Sequence, residues 1–154
     1  MNASNNGQFW ARDFETLTRA EQQKLEAPLL AQQIAYVYAN SAYSRRKFDE
    51  AGVRPETVTT EQALDQGPFT EKSDITESQT KGSMLGPHQC ASFDDVVRIV
   101  ATGGSSGPPT RLGRTRSDID LYNEMGARAL WTMGCRPSDL VIIVSTTACT
   151  RAAS

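Results

Sequence analysis

The stretch from Val100 to Thr110, VATGGSSGPPT, gathers Gly103, Gly104 and Gly107 with the hydroxyls of Thr102, Ser105, Ser106 and Thr110. It then stiffens at Pro108 and Pro109. Backbone amides freed of Cβ crowding can close around an anion, and small hydroxyl side chains add donors without bulk. Phosphate oxygens are the usual guest of such a loop. Two templates are excluded. A Walker loop requires Gly-Lys followed by Ser or Thr, and the chain contains no Gly-Lys. A dinucleotide fingerprint opens a helix, whereas this loop leads into RLGRT, which reads as a strand.

Other chemistry-bearing residues are sparse. Arg111, Arg114 and Arg116 gather positive charge just after the loop. Solvated strand and cap positions are the simpler account of them, and a phosphate-facing cluster is the alternative. His88 is the lone histidine and lies in a loop-like region without a second ligand nearby. Cys90, Cys135 and Cys149 are odd in number, lack a Cys-x-x-Cys spacing and make no zinc set, so no metal site is expected. They read as reduced thiols acting as small hydrophobes. Tyr36, Tyr38, Tyr43 and Phe48 fall at helical spacings and are expected in a core or against a partner. No residue identifies itself as catalytic.

The elements that must hold the loop are readable from caps and periodicity. Thr18-Arg19-Ala20-Glu21 has capping-box spacing and predicts a helix from Arg19. Pro28 is expected to end that helix and open a second, in which Leu30, Ile34, Val37 and Tyr38 share one face. AYSRRKFDEAG predicts a third helix closed by Gly52. Thr70 is expected to cap another from Glu71 to about Gln79, with Lys72 a surface residue of its first turn. Lys81 to Phe93 is loop-like.

Beyond it the character changes. Val96 to Ala101 reads as a strand, the glycine loop follows, and RLGRT is a second strand. Thr115 to Asp118 repeats the capping-box pattern. Ile119, Tyr122, Met125, Ala129, Leu130 and Met133 give a helical stripe ended by Gly134, and DLVIIVS predicts a further buried strand. The expected fold class is α/β: a helical N-terminal segment over 1–80, then the beginning of a mixed β-sheet subdomain over 81–145. The loop occupies 102–110, and an irregular tail covers 146–154. The sheet is expected to be incomplete.

Bulk properties narrow the partners. The chain has 154 residues, 38% hydrophobic and 22% charged, with a net charge of −2. That balance gives no electrostatic argument for nucleic acid or an anionic membrane. The N-terminus lacks a signal-peptide pattern, and no apolar run approaches the roughly 20 residues of a membrane span. A soluble, cytoplasmic protein is expected.

TGGSSGPPT resembles the phosphate-binding signature of the adenylate-forming enzymes. Gly104 and Gly107 match the family's fixed glycines, Thr102, Ser105 and Ser106 its hydroxyl positions, Gly103 a small-residue position and Pro109 its proline. FWARDFETLTRAEQQKL, AYSRRKFDEAGVRPE, PFTEKSDI and TRSDIDLYNEMGARALWTMGCRPSDLV look, in that order, like the front of phenylacetate–CoA ligases. The resemblance implies a loop that folds over the phosphates of ATP while a carboxylate attacks the α-phosphate. It implies Mg2+ with the ATP, coenzyme A as co-substrate, and an aromatic acid as substrate. ATP phosphate binding would fall to Thr102, Gly103, Gly104, Ser105, Ser106, Gly107 and Thr110.

Two departures stand out. Pro108 occupies a position where the family commonly has lysine, and it supplies neither charge nor amide donor. Such ligases also continue for several hundred residues, so the chain reads as a front third whose tail, TTACTRAAS, has lost the family pattern by truncation or frameshift. The alternative is a catalytically inactive remnant or an interaction module that self-associates through its unfinished sheet.

Overall fold

A computed structural model describes residues 7–80, 83–102 and 109–142. A short helix, α1, spans Arg12–Glu15, and the longest helix of the helical half, α2, spans Arg19–Asn40. The Thr18 side chain accepts from the Glu21 amide while the Glu21 carboxylate receives the Thr18 N–H at 2.8 Å, the reciprocal cap expected from the spacing. Pro28 lies inside α2 and does not divide it. A proline in a helix interior costs about 3 kcal/mol. Downstream of it Leu30, Ile34 and Tyr38 pack into one cluster, and burying a large apolar side chain returns roughly 1.5–3 kcal/mol each. Packing therefore outweighs the break.

Ser41 caps α3, Ala42–Glu50, by accepting the Ser44 amide, and Gly52 closes its end at φ +65°, as the sequence requires. A 3-10 turn at Pro55–Thr57 and a short helix α4, Glu61–Leu64, follow. Ile34, Phe48 and Val58 form the buried core of this half, with Leu30, Tyr38, Val53 and Ala63 packed against it. Tyr43 and Phe48 are buried as expected, whereas Tyr36 is exposed.

Helix α5, Lys72–Thr80, starts one residue later than expected. Its first turn is held by Asp74, whose carboxylate accepts the Glu71 N–H at 3.2 Å. Strands β1, Arg98–Ala101, and β2, Arg111–Arg114, pair antiparallel with Ala101 opposite Arg111 and Arg98 opposite Arg114. This two-stranded hairpin is the sheet among the described residues, in place of the mixed sheet expected.

Helix α6, Arg116–Thr132, opens on a second capping box at Thr115 and Asp118, and Gly134 follows it at φ +94°. Ile119 is buried, but Tyr122, Met125, Leu130 and Met133 stay exposed, so the predicted stripe is uncovered over most of its length. The strand expected in DLVIIVS is not formed over Asp139–Ile142, where Leu140 is 92% exposed. No described strand lies alongside to supply its ladder, and residues 143–145 fall outside the described region. Among the described residues no helix is long and apolar enough to cross a membrane.

Candidate functional site

The hairpin presents the glycine-rich segment between its two strands. Gly103, Gly104, Ser105, Ser106, Gly107 and Pro108 lie outside the described residues; Thr102 and Thr110, at the two ends, are described. They close the neck. The Thr102 N–H donates to the Thr110 carbonyl at 3.0 Å, and the Thr110 N–H donates to Thr102 Oγ1 at 3.1 Å. A threonine hydroxyl thus stands in for a ladder carbonyl at the last rung. Thr110 is buried, and its own hydroxyl meets that of Thr76 on α5 at 3.0 Å.

One turn further along α5, Gln79 completes the neck's support. Its Oε1 accepts the Arg111 N–H at 2.9 Å, and its Nε2 donates to the Arg111 carbonyl and, at 3.3 Å, to the Leu85 carbonyl. The carboxamide acts as a one-residue strand laid against β2. Gln79 is 8% exposed, and a buried amide must be paired in this way or cost roughly 1–3 kcal/mol. The sequence reading missed it. The available signal was an amide on the inward face of α5, three residues after Thr76 and four after Ile75.

Helix α5 is held in turn by α3. The Tyr43 hydroxyl donates to Asp74 Oδ2 at 2.8 Å, and Lys47 Nζ lies 3.4 Å from the same oxygen. Donation from Tyr43, then from the Glu71 amide and Lys47, lowers the Asp74 pKa. The connecting segment is fixed at Pro87, whose carbonyl accepts from Ser41 Oγ at 3.1 Å and from the Tyr43 N–H at 3.2 Å. Core, α3, α5 and hairpin neck form one chain of support.

On β2, Gly113 is where the strand meets that segment most closely. A Cβ there would lie 2.8 Å from Leu85 Cδ1, 2.9 Å from Val96 Cγ2 and 3.1 Å from Gln89 Oε1. Arg114, one of the three arginines of the possible phosphate-facing cluster, instead stacks over the Tyr122 ring with 4.5 Å to its centroid. It lies at the end of β2 remote from the neck. Arg116 is exposed in the first turn of α6, and Lys72 is exposed in that of α5. Arg111 is half-buried beside the neck.

His88 lines a separate cleft of about 1000 Å³ with Gln33, Tyr36, Asn40 and Cys90. The Ser78 hydroxyl donates to the Ile75 carbonyl at 2.7 Å, so toward His88 Nδ1, 3.5 Å away, it can only accept. The buried Nε2 has no hydrogen-bond partner among the described residues. Burial lowers the His88 pKa and raises that of Cys90, which keeps the latter a thiol rather than a nucleophile. Cys90 and Cys135 are half-buried and free, and Cys149 is outside the described residues. Among the described residues no three His, Cys, Asp or Glu side chains gather where they could hold a metal ion.

The chain as a whole superposes on solved structures of an acid–CoA ligase. 2-Hydroxyisobutyryl-CoA ligase, crystallised with 2-HIB-AMP and CoA, superposes on 90% of the chain at a TM-score of 0.81 and 28% identity, over 29% of its own length. An open conformation of the same ligase gives a TM-score of 0.80. In sequence the chain is 34% identical over 125 residues to the phenylacetate-coenzyme A ligase of Thermus thermophilus, covering 81% of this chain and 27% of that one. It is 34% identical over 127 residues to the Escherichia coli enzyme of the same name, covering 82% and 28%. No family model matches. By sequence, the chain belongs to the phenylacetate–CoA ligase family. It spans a little over a quarter of the length of these relatives.

Proposed function

We propose that the chain supplies the phosphate-binding hairpin of an AMP-forming acid–CoA ligase. In this reading Thr102, Gly103, Gly104, Ser105, Ser106, Gly107 and Thr110 surround the ATP phosphates. The chain's own contribution would be amide and hydroxyl donors aimed at the negative charge of the phosphates. The observation that carries the reading is the clamped neck, in which Thr102 and Thr110 face each other beneath the glycine-rich segment while Gln79 and Thr76 brace them. A magnesium ion would enter on the nucleotide's phosphates, because the described residues offer no carboxylate cage of their own.

The acid is the finer part of the proposal. The sequence relatives are phenylacetate-coenzyme A ligases, whereas the structural neighbour carries a 2-hydroxyisobutyryl group as its acyl-adenylate. An aromatic acid is favoured by the closer sequence match. A chimera tests both, with this chain replacing the corresponding segment of the Thermus thermophilus relative. Pyrophosphate release from ATP is followed with aryl and alkyl acids, and coenzyme A thioester is measured at the end. Acid-dependent release is expected, lost in Gly104→Val. A folded chimera that releases no pyrophosphate with any acid would sink the reading.

A second reading, an interaction module, is favoured by the exposed Tyr122, Met125 and Met133 of α6 together with Leu140 and Ile142. Sedimentation of the chain across a concentration series distinguishes it. A monomer at every concentration removes self-association.

A further inference from the structure

The contact between α5 and the hairpin has a purpose beyond packing. Buried helix glutamines commonly bond within their own helix or to a single neighbour. Gln79 instead spends its amide outside the helix, on both backbone groups of Arg111, 32 residues away, and on the carbonyl of Leu85 in the segment that follows α5. The Thr76 hydroxyl donates to the Lys72 carbonyl of its own helix at 3.0 Å and accepts from the hydroxyl of Thr110, the residue whose amide and carbonyl both close the neck. Both side chains project from one face of α5, three residues apart, which is the helical spacing for a shared target. Their targets are two consecutive residues at the neck, Thr110 for Thr76 and Arg111 for Gln79.

We infer that Gln79, assisted by Thr76, is a positioning residue that holds the loop's neck closed and sets the geometry from which the loop meets an anion. The role at the neck stands on the described contacts alone, and the consequence for an anion rests on the phosphate-loop reading above. Gln79 touches no phosphate in this account. It acts through Arg111 and Thr110, so its loss opens the rung while leaving the helical core intact.

Amide exchange on the whole chain tests the neck directly. Gln79→Met keeps side-chain length and removes every amide contact. Exchange at Thr102 and Thr110 is expected to quicken by about tenfold or more, while Ile34 in the core of α2 stays within about twofold. Neck amides that exchange as in the parent chain, or that quicken only in step with Ile34, would overturn the inference. Should Gln79→Met fail to fold, Thr76→Val against Thr76→Ser carries the same comparison. Serine keeps the hydroxyl facing Thr110 and should restore neck protection, and equal protection in both variants would count against the role.

Titration with tripolyphosphate adds the second arm. The side-chain amide resonance of Gln79 is expected to shift as the anion binds, although it is no ligand. Binding should weaken by about fivefold in Gln79→Glu, which sets a carboxylate against the Arg111 and Leu85 carbonyls. Unchanged affinity in a folded Gln79→Glu would overturn the link to the anion. If the parent chain itself binds no tripolyphosphate, the phosphate-loop reading fails, and the exchange experiment alone decides the role at the neck.

Discussion

The guanidinium of Arg136 lies over the indole of Trp131, 4.1 Å from its centroid, and reaches back to the start of the described chain. Its Nη1 donates to the carbonyls of Trp131 and Cys135 at 2.9 and 2.8 Å, and its Nη2 donates to the Gly7 carbonyl at 2.9 Å. Trp10 meets Trp131 edge-on at 5.5 Å and donates to Glu124 at 2.6 Å. One arginine therefore ties the end of α6 to a segment more than a hundred residues away. Arg136→Ala should cost about 2 kcal/mol, since a half-buried cation–π contact is lost together with charge-assisted hydrogen bonds. Arg136→Lys should recover little, because an ammonium lacks the planar fork. Urea unfolding followed by tryptophan fluorescence measures both, and a lysine variant as stable as the parent would contradict the account.

Gly113→Ala should destabilise the hairpin by about 1–3 kcal/mol through overpacking. Leu85 is buried and cannot swing aside freely, and Val96 Cγ2 belongs to a stiff β-branched side chain. Gly126→Ala is the control, since nothing lies within 4 Å of a Cβ there and a helix interior favours alanine. Equal thermal midpoints for the two variants would contradict the close approach at β2.

Stability should fall as the solution is acidified through the ordinary histidine range. Burial lowers the His88 pKa below 6.5, so the folded state favours the neutral ring while the unfolded chain takes up the proton. The stabilisation is complete above about pH 6.5 and is lost progressively as pH drops from there toward the folded value. The chain has a single histidine, which makes the measurement clean. Urea midpoints between pH 8 and 5.5 should decline in the parent and flatten in His88→Gln. Parallel profiles would show that the ring is not the group responsible.

Taken alone, the chain should hold ATP no more tightly than about millimolar, roughly −4 kcal/mol. Phosphate contacts open to water are screened, and Pro108 and Pro109 withhold two amide donors. ATP and tripolyphosphate should therefore bind alike, and no acid-dependent AMP should form. Calorimetric titration with both ligands checks the first expectation. Micromolar, adenine-selective binding would reveal a base pocket in this chain.

The signals that proved legible in the sequence were short and local. Thr18 with Glu21, Thr115 with Asp118, and the glycines at 52 and 134 each specify a helix end within a few residues. The misreadings came where a distant partner decided the outcome. Pro28 reads as a break until the packing of Ile34 against Phe48 and Val58 is known. DLVIIVS reads as a strand, yet a strand exists only beside another one, and none of the described strands flanks it. At the candidate site, loop composition singled out Thr102 and Thr110, and the hydrogen bonds between them appear only in the fold. Gln79 was not singled out, because an amide on the inward face of a helix gains its meaning only from a partner, and Arg111 is 32 residues away.

The amide of Gln79 has one more effect, on how the hairpin meets other molecules. A two-stranded sheet offers backbone donors and acceptors along its outer margins, and an extended segment from another chain can pair there and seed aggregation. At Arg111 the outward N–H and carbonyl are already taken by the glutamine side chain. A visiting strand would have to expel a buried amide before it could register against β2 at that end. At the loop-bearing end, the outer margin of β2 is thereby closed to strand addition by a single side chain.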